Sequence, residues 1–185
     1  MLTWYPPEMT MPLLAVAGLA VLRLSRGRSI WLRNLGGFLL LILILHLLFI
    51  PNIGLRLRSG YTSNVAETSA SAQLPELLPR TLPASPDQAF AAAVQAAERL
   101  KHFDIVAADA GALRLTLTVG VPAWGWWPRW PLFRDDMTVQ VVMVRGGSQL
   151  HIRSASRLGR ADLGENRRHI AQFLQAVEGM MDDRR

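Results

Sequence analysis

The chain has 185 residues, half of them hydrophobic, with no cysteine and a formal net charge of +6. Without cysteine there can be no disulfide, thiolate nucleophile or cysteine-ligated metal. The charge is unevenly placed: residues 1–59 hold six arginines against Glu8, a net +5, while residues 60–185 hold thirteen arginines and Lys101 against thirteen acids, a net +1. The nearly neutral remainder lacks the electrostatic footprint of a nucleic-acid binder, so that class of partner is excluded.

The first elements are apolar. Met9–Leu22 is uncharged and lies between Glu8 and Arg23, with Trp4 and Tyr5 ahead of it. Residues 34–55 carry no charge, and Phe38–Ile50 is apolar apart from His46. Hydropathy and flanking charge predict two transmembrane helices, at about 9–24 and 35–53, within a membrane anchor over residues 1–58. A signal peptide is the rival for the first run, but no basic region precedes it. Four arginines lie in the connector 23–33 and two just after the second run. The positive-inside rule then predicts a two-pass protein of the bacterial inner membrane with its C-terminal domain periplasmic and the lipid bilayer as a partner. His46 near the middle of the second run is either a neutral ring bonded to its surroundings or an intramembrane functional group.

Residues 59–84 are rich in Ser, Ala, Thr and Pro without clear periodicity, and predict an extended linker. A domain over 85–185 then begins with Ser85-Pro86-Asp87-Gln88, the pattern of a capping box with Pro at the first helical position. Phe90, Val94, Ala97 and Leu100 give helical spacing over 86–101. Four strands are predicted next: Phe103–Ala107, an alternating run ending at Val119, another from Met137 to Met143, and Ser148–Ala155. Gly146-Gly147 is taken as the two-residue turn between the last two. A final amphipathic helix runs from Leu163 to about Met181, with Asp162 as its N-cap and Ile170, Phe173, Leu174 and Val177 on its buried stripe. The expected fold is α+β: two N-terminal transmembrane helices, then an α-β-β-β-β-α domain whose antiparallel sheet is covered by two helices.

The run from Arg153 through Ser154, Ser156, Arg157, Gly159, Asp162, Leu163, Gly164 and Asn166 to Phe173 resembles the signature of domain-of-unknown-function family 1499. Phe133-Arg134-Asp135-Asp136 is similar to that family's second landmark, an aromatic followed by two aspartates. The resemblance covers roughly residues 78–177. It implies an exported or membrane-anchored protein and no particular substrate or reaction.

Three constellations stand out. With the turn at Gly146-Gly147, Asp136 is expected opposite Arg157, sharing a face with Arg153: a polar latch that fixes register, or a pocket in which arginines receive an anion. Asp135 and Asp136 are adjacent and point to opposite faces, so they cannot by themselves be a glycosidase pair. Ser154 and Ser156 near Asp136 and Arg153 would serve a periplasmic hydrolase, the alternative to a non-catalytic module, but no histidine is placed to activate either serine. Asp162 already occupies the cap of the last helix and would repel a second anion there, and Asn166 completes the signature.

The third is Val121–Leu132, where Trp124, Trp126, Trp127 and Trp130 accompany Arg129 and three prolines. Tryptophan and arginine dominate binding hot spots, so this segment is the candidate contact surface for a membrane or periplasmic protein partner or for lipid. No zinc-binding histidine pair, phosphate loop, nucleophile elbow or dinucleotide fingerprint occurs, so no metal, cofactor or catalytic residue is expected.

Overall fold

The computed structural model describes residues 7–24, 30–49, 52–120 and 134–182. Two helices come first, α1 (Pro7–Leu24) and α2 (Ile30–Phe49). They pack antiparallel where two glycines remove the side chains between them: a Cβ on Gly36 would stand 2.7 Å from Leu22 and 3.1 Å from the carbonyl oxygen of Gly18. Away from that seam large apolar side chains face outward, among them Val16, Leu19, Trp31, Phe38, Leu41 and Ile44.

The expectation of two transmembrane helices is overturned. Among the described residues no helix is long and apolar enough to cross a membrane. The reason is where the helices end relative to their charges. The uncharged part of α1, Met9–Leu22, is fourteen residues or about 21 Å. In α2, Arg33 and Asn34 fall in the opening turns, and Leu35–Phe49 is fifteen residues or about 22 Å, against a hydrocarbon core of roughly 30 Å. The second run does not continue to Ile53 as one helix. Asn52 takes a left-handed conformation (φ 57°), and a separate helix, α3 (Ile53–Thr62), follows. His46 falls on α2, and its side chain lies outside the described residues.

The stretch 59–84, expected as an extended linker, contains the end of α3 and two short strands, β1 (Val65–Glu67) and β2 (Thr81–Leu82), with a 3-10 turn at Pro75–Leu77 between them. The rest is α4 (Pro86–Arg99), β3 (Phe103–Asp109), β4 (Arg114–Gly120), β5 (Arg134–Val144), β6 (Gly147–Ser156) and α5 (Glu165–Asp182). All strand pairs are antiparallel, in the order β1-β6-β5-β4-β3, with β2 also on β6. Among the described residues the sheet therefore has six strands, not four. The two added strands lie along one edge of β6, β1 opposite Arg153–Ala155 and β2 opposite Ser148–Gln149.

Helices α4 and α5 pack on each other and on one sheet face. The capping box of α4 forms: the Ser85 hydroxyl accepts from the Gln88 amide at 3.3 Å, and the Gln88 side chain accepts from the Ser85 amide at 3.1 Å. Ala89, Ala92, Ala93 and Ala96 have no exposed surface, so α4 lies close on the sheet with little volume between. Phe173, Ile170 and Val177 of α5 meet Leu115, Leu117, Met137 and Leu150 of the sheet in one core. Burying a side chain such as Phe173 contributes about 2–3 kcal/mol.

Candidate functional site

The hairpin turn decides where the polar residues meet. Val144 pairs with Gly147, so the two-residue loop is Arg145-Gly146 and not Gly146-Gly147. Both glycines have positive φ, but Gly147 is required for another reason. A Cβ there would lie 2.0 Å from the Leu82 carbonyl oxygen, because β2 crosses close to it. Asp136 is consequently opposite Ala155, with Arg157 two residues further along the chain, just past the end of β6. A shift of two keeps every side chain on its expected face. The ion pair survives as a diagonal: Arg157 Nε donates to Asp136 Oδ1 at 3.0 Å, and its Nη2 reaches Oδ1 at 2.6 Å and Thr118 Oγ1 at 3.2 Å. One guanidinium thus ties the residue after β6 to β5 and β4. Hydrogen bonding to Asp136, and then its charge, raises the Arg157 pKa above its ordinary value. Arg153 lies on the same open face, in register with Glu67 of β1 and Thr138 of β5.

Ser154 is on the other face, with no exposed surface. Its hydroxyl donates to Asn166 Oδ1 at 2.5 Å. Asn166 Nδ2 donates to Ser156 Oγ at 2.9 Å and to the Asn64 carbonyl at 2.8 Å. Asn64 Nδ2 returns a bond to the Gly159 carbonyl at 2.9 Å, and the amides of Asp162 and Leu163 donate to the carbonyls of Ser63 and Gly60. Asp162 does not cap a helix starting at Leu163. Leu163 and Gly164 are left-handed (φ 53° and 83°), so α5 begins at Glu165. The Asp162 carboxylate still accepts from the Gly164 and Asn166 amides, at 2.8 and 3.0 Å. Ser154, Ser156, Asp162 and Asn166 are therefore brought together as a clasp between α5, β6 and the turn before β1. The hydrolase constellation is not assembled: the sheet separates Ser154 from Asp136 and Arg153. Trp124, Trp126, Trp127, Arg129 and Trp130 lie outside the described residues.

A second buried cluster was not foreseen from the sequence. Asp135 and His169 are each 1% exposed and Glu165 5%. His169 Nδ1 stands 3.1 Å from Asp135 Oδ2, without the alignment of a hydrogen bond, and among the described residues neither atom has another hydrogen-bond partner. On the other edge of the ring, Nε2 is 3.5 Å from Glu165 Oε2, which also takes Arg168 Nε at 2.7 Å. Phe103 meets the ring edge-on at 6.0 Å. Since the carboxylates flank opposite ring nitrogens, they cannot share one ion with it. The Glu165/His169 spacing of four on a helix was the available signal.

An open cavity of about 280 Å³ lies where α3, β1 and the 3-10 turn meet.

A family profile described as "Protein of unknown function (DUF1499)" matches residues 61–177. The chain belongs to the DUF1499 family. The matched span opens at the end of α3 and closes on the last buried turn of α5, so β1, β2 and the clasp are inside the DUF1499 domain. No curated protein matches. Among solved structures, Ara h 8.0201 is similar at 13% identity, covering 64% of this DUF1499 chain and 97% of its own, with a TM-score of 0.43. TTHA0849 from Thermus thermophilus gives 19%, 57%, 95% and 0.38 for the same quantities. MLL2253 from Mesorhizobium loti gives 12%, 64%, 97% and 0.41. Likeness at this level carries no argument about function.

Proposed function

We propose that this chain is a non-catalytic envelope module that associates with the lipid of the bacterial inner membrane and contacts a partner through its Trp-rich segment. The observation behind it is the outward apolar surface of α1 and α2, with Leu19 59%, Phe38 57% and Ile44 50% exposed. Exposed apolar side chains in such number on two adjacent helices mark a protein or membrane contact. The signature residues support the non-catalytic half of the reading, because their hydrogen bonds are made within the clasp and not toward a cleft.

Flotation of the purified full chain with phosphatidylethanolamine/phosphatidylglycerol vesicles tests the lipid half. The chain rises with the vesicles, and Phe38→Asp with Leu41→Asp leaves it behind. A wild-type chain that stays in the dense fraction refutes membrane association. A periplasmic side for the domain is part of the same proposal. In this cysteine-free chain, Ser71→Cys is then labelled by an impermeant maleimide in intact spheroplasts. The partner contact is tested by Trp126→Ala with Trp127→Ala, which keeps the fold and loses the co-purifying protein or lipid. Unchanged co-purification removes the Trp-rich segment as the contact.

A further inference from the structure

The cavity beside α3 has walls of mixed origin. Leu55 and Ser59 come from α3, Val65 from β1, and Ala72, Leu74 and Leu77 from the loop and 3-10 turn that follow. Its volume of about 280 Å³ falls just below the usual range of ligand pockets, roughly 300–1,000 Å³. A folded partner cannot enter such a space, and a two-chain lipid does not fit it. The surface that faces the cavity is mostly apolar, although Glu67, Asp162 and Arg167 also line it, and this favours an apolar occupant.

The wall formed by α3 is held by charge. Glu76, at the centre of the 3-10 turn, binds Arg56 of α3 through both carboxylate oxygens; Arg56 Nη2 to Glu76 Oε2 is 2.9 Å. The same carboxylate meets Arg167 of α5 at 3.4 Å, and Arg167 Nη2 donates to the Arg56 carbonyl at 3.3 Å. These side chains are only 18%, 18% and 7% exposed for Arg56, Glu76 and Arg167. One carboxylate thus fastens α3 to two elements of the DUF1499 domain. On its other side α3 packs on α1, the first helix of the apolar pair.

We propose that α3 is a strap over this cavity, latched through Glu76, and that the cavity takes one hydrocarbon chain of a lipid. The occupant is chosen by continuity as well as by size. The helix that walls the cavity also packs on α1 of the helical pair assigned above to the lipid, so the cavity is one helix away from that layer. The proposal rests on the membrane association argued above. Weakening the latch frees α3, with Leu55 and Ser59 of the wall, to lift and open the way to residues 72–77.

The test uses the full chain on vesicles containing a monoacyl phosphatidylcholine with a diazirine at its chain end, irradiated and mapped by peptide mass spectrometry. Adducts form on residues 72–77 and on α3. Ala72→Phe or Ser59→Phe, which fill the space, lowers them by about tenfold. Flotation, the thermal melt and adducts on α1 and α2 stay unchanged, so a folding defect or a loss of membrane association is recognised separately. Glu76→Gln increases the yield on residues 72–77. Adducts confined to α1 and α2, or adducts on 72–77 indifferent to both filling substitutions, overturn the proposal. If the chain does not float, the probe is added below its micelle concentration: adducts on 72–77 then keep the cavity assignment, and their absence ends it.

Discussion

Asn166 Nδ2 donates to the backbone carbonyl of Asn64, 102 residues earlier in the chain, at 2.8 Å. That bond, with those to Ser154 and Ser156, makes Asn166 the centre of the clasp. Its removal leaves the buried Ser154 hydroxyl without its acceptor. Asn166→Ala is expected to cost about 2–4 kcal/mol in urea denaturation of the full chain. A change within error would show that the clasp adds nothing to stability.

The Asp136–Arg157 pair is exposed, at 55% and 47% of the two side chains, although its geometry is bidentate. Such pairs contribute little and are screened by salt. Asp136→Ala therefore keeps the domain folded, with a small fall in melting temperature at low salt that fades at high salt. The Asp136 carboxylate raises the Arg157 pKa above its ordinary value, so this stabilisation is complete below the ordinary arginine range and is lost only as pH climbs through the raised value. A pH titration from 5 to 9 should leave the pair's contribution flat. A cooperative loss of structure in Asp136→Ala would contradict this account.

Asp135 and His169 are both buried, and each faces the other. Removing either alone leaves the other without its partner, so Asp135→Ala and His169→Ala are each expected to cost about 3 kcal/mol. The double substitution should cost less than the sum, with a coupling of about 1 kcal/mol or more in a double-mutant cycle. Strict additivity would mean that the 3.1 Å approach carries no interaction energy.

Gly36 permits the close approach of α1 and α2. In Gly36→Val the new atoms meet Leu22 and the Gly18 backbone, and the helices must separate. Overpacking of this kind costs about 1–3 kcal/mol. The urea-denaturation midpoint of the full chain should fall in Gly36→Val. An unchanged midpoint would mean that the pair does not depend on this seam.

The legible parts of the fold are those where one residue type repeats. Leu115, Leu117 and Val119 alternate with polar neighbours and form β4; Ser85 and Gln88 form their capping box. β1 and β2 were missed because strands of three and two residues hold no period to detect, and their pairing partners lie far away on β6. The hairpin register slipped by two because two adjacent glycines offered two turns. What separates them is the Leu82 backbone above Gly147, a tertiary contact. The helix ends misled the reading of the apolar runs, since Asn52 turns left-handed where hydropathy runs on to Ile53. In the candidate site the signature residues were named correctly as a polar group, while their inward bonding, and the Asp135–His169 contact, required the fold to be known.

The pairing of β1 with β6 sets a timetable for synthesis. Val65 meets Ala155 only after ninety more residues have been made, roughly five to twenty seconds of translation at bacterial and eukaryotic rates. During that interval the strand behind the two apolar helices has no pairing partner among the described residues. The N-terminal segment therefore has to find its surroundings before the domain can close over β1, and the last stitch, Asn166 to Asn64, is made at the very end.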